Sequence, residues 1–199
     1  MLIMQSQSPL IFADRVRLPV SFDGDRLAEG LNRITGAVWV EHFVKQNYEG
    51  DWSVLPLRYS AGATHPILQA YSDPSTTEYA YSPLLDSAPE IRAAIDWFQC
   101  DLQTVRLMRL TPGSIIKEHC DYDLAAEWGT ARIHIPITTN PLVEFMVNRV
   151  PVPLEAGSAW YLRLSDPHSV ANRGATDRVH LVIDCVTNDW LTSQLGAES

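Results

Sequence analysis

From Leu102 to Val186 the chain reads as short strand-like stretches set between turn signals, a spacing that excludes long-helix and parallel-sheet architectures. The stretches are 103–110, 114–119, 131–138, 142–148, 158–163, 168–173 and 178–186. Pro112-Gly113, Thr139-Asn140-Pro141, Glu155-Ala156-Gly157 and Arg173-Gly174 supply the turns. Short strands at this spacing point to two packed antiparallel sheets, as in a jelly roll or small barrel. Two stretches alternate cleanly. Arg132, His134 and Pro136 share one face against Ile133, Ile135 and Ile137, and Arg178 and His180 oppose Val179, Leu181 and Ile183. The apolar faces must pack on a second sheet or on helices. The polar faces read equally as solvated surface or as the lining of a shared mouth.

The N-terminal half reads differently. Arg15 to Phe22 alternates as a strand, and Asp25 to Ile34 carries Leu27, Leu31 and Ile34 at helical spacing up to Gly36. Trp52 to Tyr59 is a second strand, irregular or at an edge because of Pro56. Residues 60–87, rich in Ser, Thr, Pro, Ala and Gly, read as a long loop, either a lid or an insertion. Ala88 to Cys100 reads as a helix with Pro89 in its first turn, and Asn188 to Leu195 as a short closing helix capped by Asn188. Residues 1–10 are expected to fray. At 199 residues a single domain is expected over 1–199, with flanking elements in 1–102, a β core in 103–187 and a helical tail in 188–199.

The chemistry gathers around His119-Cys120-Asp121. Residues two apart on an extended segment point the same way, so an imidazole and a carboxylate would face one point. His168, after Ser165-Asp166-Pro167, adds a second imidazole. Two histidines and one carboxylate are the facial triad of non-haem Fe(II) oxygenases, which leaves positions open for co-substrate and dioxygen. Ten residues later, Arg178 offers a planar fork suited to a carboxylate. His42 and His65 are isolated and read as surface or loop residues. Cys120 would point away from its neighbours and reads as a small buried hydrophobe.

The segment Val105 to Trp190 resembles the aspartyl/asparaginyl β-hydroxylase family of Fe(II)/2-oxoglutarate oxygenases, its bacterial proline-hydroxylase-like members especially. The likeness is carried by Arg106-Leu107-Met108-Arg109-Leu110-Thr111-Pro112-Gly113, Glu118-His119-Cys120-Asp121-Tyr122-Asp123-Leu124, Ala131-Arg132-Ile133-His134-Ile135-Pro136-Ile137, Pro167-His168 and the run Asn172 to Leu181. It implies a double-stranded β-helix (cupin-like) with N-terminal flanking helices. It also implies a hydroxylase using Fe(II), 2-oxoglutarate and O2 on an amino acid, free or in a peptide. By that resemblance His119, Asp121 and His168 hold the metal, and Arg178, Arg132, His134 and Trp52 meet the co-substrate. Arg58, Arg109 and Arg163 are candidate anchors for a substrate carboxylate. Vertebrate-type members resemble a two-histidine site without the carboxylate, whereas here Asp121 is present; its presence also argues against a halogenase. The alternative reading is a non-catalytic cupin-like protein that binds a metal or a small acid.

Charge and cysteines narrow the setting. A formal net charge of −9 opposes nucleic acid and anionic membranes, so neither is an expected partner. Three scattered cysteines with no C-x-x-C pair argue against a disulfide framework or a zinc ribbon. With no basic region or long apolar run at the start, a cytoplasmic location is expected.

Overall fold

The computed structural model describes residues 12–71 and 75–196, so the expected fraying of 1–10 lies outside the described residues. In chain order the elements are β1 (Arg15–Ser21), α1 (Gly24–Ile34), β2 (Val40–Glu41), β3 (Tyr48–Glu49), β4 (Trp52–Ser60), α2 (Pro66–Ala70), β5 (Tyr79–Tyr81), α3 (Pro89–Asp96), β6 (Leu102–Leu110) and β7 (Ile115–His119). They continue with β8 (Thr130–Thr138), β9 (Val143–Val147), β10 (Val150–Pro151), β11 (Ser158–Leu162), β12 (His168–Asn172), β13 (Arg178–Val186) and α4 (Asp189–Leu195). The larger sheet runs β1-β11-β8-β13-β6-β4-β2, with β5 also on β4, and the smaller runs β10-β9-β12-β7-β3. The fold is the expected double-stranded β-helix, with flanking helices and a short C-terminal helix.

Parity along each strand decides which core a residue enters. Ile133, Ile135 and Ile137 of β8, Val105 and Leu107 of β6, and Leu181 and Ile183 of β13 pack in one cluster with Leu27, Leu31 and Ile34 of α1 and Ile91 and Ile95 of α3. The apolar faces therefore meet the helices rather than the second sheet. The opposite parity enters a second cluster between the sheets, where Trp52, Met108, Leu110, Trp160 and Val182 face Ile116, Phe145, Val147 and Val170. The faces carrying Arg132, His134, Arg178 and His180 look into this space, so they are interior and not solvated: His180 is fully buried and Arg178 is 1% exposed.

Local details differ from the sequence reading. α3 stops at Asp96, because Trp97 to Asp101 turn the chain into β6. Residues 60–87 hold more structure than a bare loop. His65 caps α2 by accepting from the Ile67 N–H, β5 pairs with the end of β4, and Pro83–Ser87 form a 3-10 turn. β4 is paired on both sides, and its register shifts between Pro56 and Arg58 against β6. Proline removes one ladder hydrogen bond, and the bulge absorbs that loss. Asp23 accepts from the Asp25 and Arg26 N–H groups to start α1, and Asn188 accepts from the Leu191 N–H to start α4. No helix among the described residues is long and apolar enough to cross a membrane.

Candidate active site

A cavity of about 450 Å³ lies between the sheets, lined by residues of β4, β6, β7, β8, β9, β12 and β13. His119 ends β7 and His168 begins β12, and the two are cross-strand partners. The register of that pair slips just beyond them, between His168 and Val170. Asp121 sits in the turn after β7. Its N–H donates to the Leu164 carbonyl and its own carbonyl accepts from the Leu124 N–H. These bonds hold the carboxylate beside the histidines. The ligand atoms of His119, Asp121 and His168 all lie within 4.8 Å of one another, with His119 Nε2 and Asp121 Oδ1 at 3.8 Å.

The imidazoles are oriented for a metal. His119 Nδ1 lies 2.7 Å from the Lys117 carbonyl, and His168 Nδ1 lies 3.0 Å from the Asp166 carbonyl. A carbonyl only accepts, so each Nδ1 carries a proton and Nε2 is the nitrogen left for a metal. Burial lowers the His168 pKa to about 4, which keeps the ring neutral and able to ligate at neutral pH. Two imidazoles and one carboxylate fit iron(II) and leave octahedral positions for other ligands.

Arg178 enters the same cavity from the start of β13. Burial alone lowers its pKa to about 9, so it remains a cation at neutral pH, and no carboxylate among the described residues lies against it. Its NH2 donates to His180 Nδ1 at 2.8 Å, while its Nε, though buried, has no partner among the described residues. His180 Nδ1 therefore accepts, and His134 Nδ1, 3.3 Å away, donates to it. Burial pushes both histidines well below the ordinary imidazole range. A buried, uncompensated guanidinium is costly, and an anion seated against it offsets that cost. The orphaned Arg178 Nε and the donor chemistry of the triad thus fit an anionic ligand between Arg178 and a metal.

A model of the family described as Aspartyl/Asparaginyl beta-hydroxylase matches residues 28–188. The chain belongs to that family. Among curated proteins, an L-proline cis-4-hydroxylase of Rhizobium meliloti (strain 1021) is 27% identical over 168 residues. That match covers 83% of this chain and 58% of the relative, so the chain spans under two thirds of the relative's length. Among solved structures, an oxidoreductase of the 2OG-Fe(II) oxygenase family from Burkholderia pseudomallei superposes with a TM-score of 0.57 at 17% identity, covering 88% of this chain and 86% of that one. HygX from Streptomyces hygroscopicus, with nickel and 2-oxoglutarate bound, gives 0.55 at 10% identity, covering 89% and 84%. At these identities the two structures speak for the shared fold.

The remaining sequence candidates of this β-hydroxylase family member divide by position. Trp52, Arg132 and His134 line the cavity. Arg58, Arg109 and Arg163 lie outside its lining. Arg58 donates to the Leu102 carbonyl and covers Tyr81, Arg109 donates to Ser53 Oγ and covers Trp39, and Arg163 pairs with Asp166 and Glu127. His42, read as a surface or loop residue, instead lines the cavity and stacks on Trp52 with ring centroids 3.5 Å apart. Burial, with Arg106 and Arg132 nearby, lowers its pKa to about 3. Cys120 is half-buried and Asp123 is exposed. Two cavity residues escaped the sequence reading. Arg106 donates to Asp184 Oδ2 at 2.6 Å, and Asp184 also takes Arg132 Nε at 2.6 Å. Their signal was parity, since Arg106 shares a face with Met108, and Asp184 with Arg178 and His180.

Asp184 yields a stability prediction. Burial alone would raise its carboxyl, but Arg132 and Arg106 hold it far below the carboxylate range. Asp184→Ala removes the carboxylate that Arg106 and Arg132 share, and breaking a buried ion pair costs roughly 3–5 kcal/mol. At about 2–4 °C per kcal/mol for a chain this size, the melting temperature should fall by about 6–20 °C. The depressed pKa means that this contribution is present above the unfolded carboxylate pKa and is lost as pH falls through the folded value. Thermal melts of both proteins should therefore differ most near neutral pH and converge in acid. A shift of under 2 °C near neutral pH would show that Asp184 is not the shared counter-ion.

Proposed function

We propose that this chain is an Fe(II)/2-oxoglutarate-dependent hydroxylase that acts on an unactivated C–H of an amino acid, free or within a peptide. The observation that carries the reading is the sharing of one cavity by the His119-Asp121-His168 cluster and Arg178, a buried cation facing no carboxylate among the described residues. When bound, the metal and co-substrate together supply the O2-derived oxidant that breaks the C–H bond. The residues do the rest. His119 and His168 present Nε2 lone pairs, with their Nδ1 protons fixed on backbone carbonyls. Asp121 offers a carboxylate oxygen beside them. Arg178 clamps the distal carboxylate of 2-oxoglutarate through its fork. Met108, Phe145, Leu164 and Val170 wall the cavity and keep water from the reacting atoms.

The name of the Rhizobium relative makes L-proline the first substrate to try, with aspartate and asparagine next because of the family description. The test is incubation with Fe(II), 2-oxoglutarate, ascorbate and a panel of amino acids and peptides, read by succinate formation and by a product one oxygen atom heavier. Oxygenated product coupled to succinate is expected for at least one panel member. If no succinate forms even without substrate, the non-catalytic binding reading takes its place.

A further inference from the structure

The two arginines that reach the heart of the cavity from β8 and β13 are in opposite electrostatic states. Arg178 faces no carboxylate among the described residues. Arg132 already holds two. Its Nε and NH2 fork onto Asp184 Oδ1 and Oδ2 at 2.6 and 3.0 Å, and its NH1 donates to Asp121 Oδ2 at 3.0 Å. Asp184 is anchored in turn by Arg106 NH2 at 2.6 Å and Thr104 Oγ1 at 2.9 Å, both donating to Oδ2. The relay runs from β6 through β13 and β8 to the turn that carries Asp121. The Arg132 guanidinium is therefore already engaged by two carboxylates and calls for no further anion.

We propose that Asp184 and Arg132 are positioning residues that act on the metal site through Asp121, and that Arg132 is not a co-substrate clamp. The proposal rests on the reading of His119, Asp121 and His168 as metal ligands. A carboxylate free to rotate offers either oxygen or both. Here Oδ2 is taken by a charge-assisted bond from a guanidinium whose plane is itself fixed by a fork. Oδ1 is the oxygen left facing His119 Nε2, at 3.8 Å. Asp121 is thereby committed to one oxygen toward the metal, and the second does not compete for the coordination positions that a co-substrate needs. Asp184, linked to Asp121 through Arg132, sets this arrangement from β13.

The test compares wild type with Arg132→Gln, Arg132→Lys, Asp184→Asn and Arg178→Ala, each prepared metal-free. Mn(II) is titrated into each, and 2-oxoglutarate is then titrated without oxygen at saturating Mn(II), with melting curves recorded throughout. Arg132→Gln leaves Asp184 with Arg106 and Thr104 and so keeps a paired interior; if Asp184→Asn fails to fold, the two Arg132 variants decide the matter. Arg132→Gln is expected to weaken Mn(II) by about 10–100-fold, the usual effect of removing a partner of a metal ligand. Arg132→Lys should recover part of that loss. 2-Oxoglutarate binding to metal-saturated Arg132→Gln should stay within a few-fold of wild type (roughly 1 kcal/mol or less), while Arg178→Ala shows the reverse pattern. Wild-type Mn(II) affinity in Arg132→Gln would overturn the proposal. So would a loss of 2-oxoglutarate binding as large as that of Arg178→Ala. A wild type that binds no Mn(II) would overturn the metal reading itself and the relay with it.

Discussion

His168→Ala and His119→Ala should each lose iron and hydroxylation together. Two remaining donors hold a labile divalent ion poorly, since affinity in such sites comes from the full ligand set and its geometry. His168 is the more informative position. It is 5% exposed, its Nδ1 is tied to the Asp166 carbonyl, and its ring lies parallel to Phe145 at 6.5 Å between centroids. Replacement by alanine therefore removes one of three donors from a walled site. Iron content after anaerobic reconstitution and gel filtration should drop to background, and turnover with it. Full activity in His168→Ala would contradict the assignment.

Arg178→Ala should spare iron and injure the co-substrate. A buried bidentate pair is strong, and removing one partner costs roughly 3–5 kcal/mol because the other charge is left uncompensated. With 1.4 kcal/mol per factor of ten, the KM for 2-oxoglutarate should rise about a hundredfold or more. Iron loading should survive, because Arg178 is not among the three clustered donors. Arg178→Lys should recover only part of the loss, since an ammonium cannot reproduce the planar fork. A near-normal 2-oxoglutarate KM in Arg178→Ala would move the clamp elsewhere.

The fold was legible where parity and turns speak together. Alternation along β8 and β13 identified the faces, and Gly and Pro turns marked the strand ends. What each face meets is a question of register and layer order, which a single strand does not carry. Hence the Ile133-Ile135-Ile137 face was left between a sheet and helices, and the helices proved to cover it. That His119, Asp121 and His168 come together was legible because two of them are two residues apart and the third follows a distinctive turn. Asp184 was not, because its meaning lies in its cross-strand partner, Arg132, and in Arg106 on the other side of β13. Read alone, Asp184 is a carboxylate near the end of a strand. Arg58, Arg109 and Arg163 show the converse. Each is a plausible anchor in sequence, but Arg109 lies on the helix-facing parity of β6, and Arg58 and Arg163 are engaged outside the cavity. His42 was passed over because its neighbours carry no motif; only the return of β2 onto β4 brings it onto Trp52.

With the metal on His119, Asp121 and His168 and 2-oxoglutarate reaching from it to Arg178, metal and co-substrate would share one cavity. Calorimetric titration of 2-oxoglutarate into wild-type protein, without oxygen and with or without saturating Mn(II), tests it most directly. The account predicts that binding is tighter with the metal by at least about tenfold, or 1.4 kcal/mol. Equal affinity with and without the metal would contradict it.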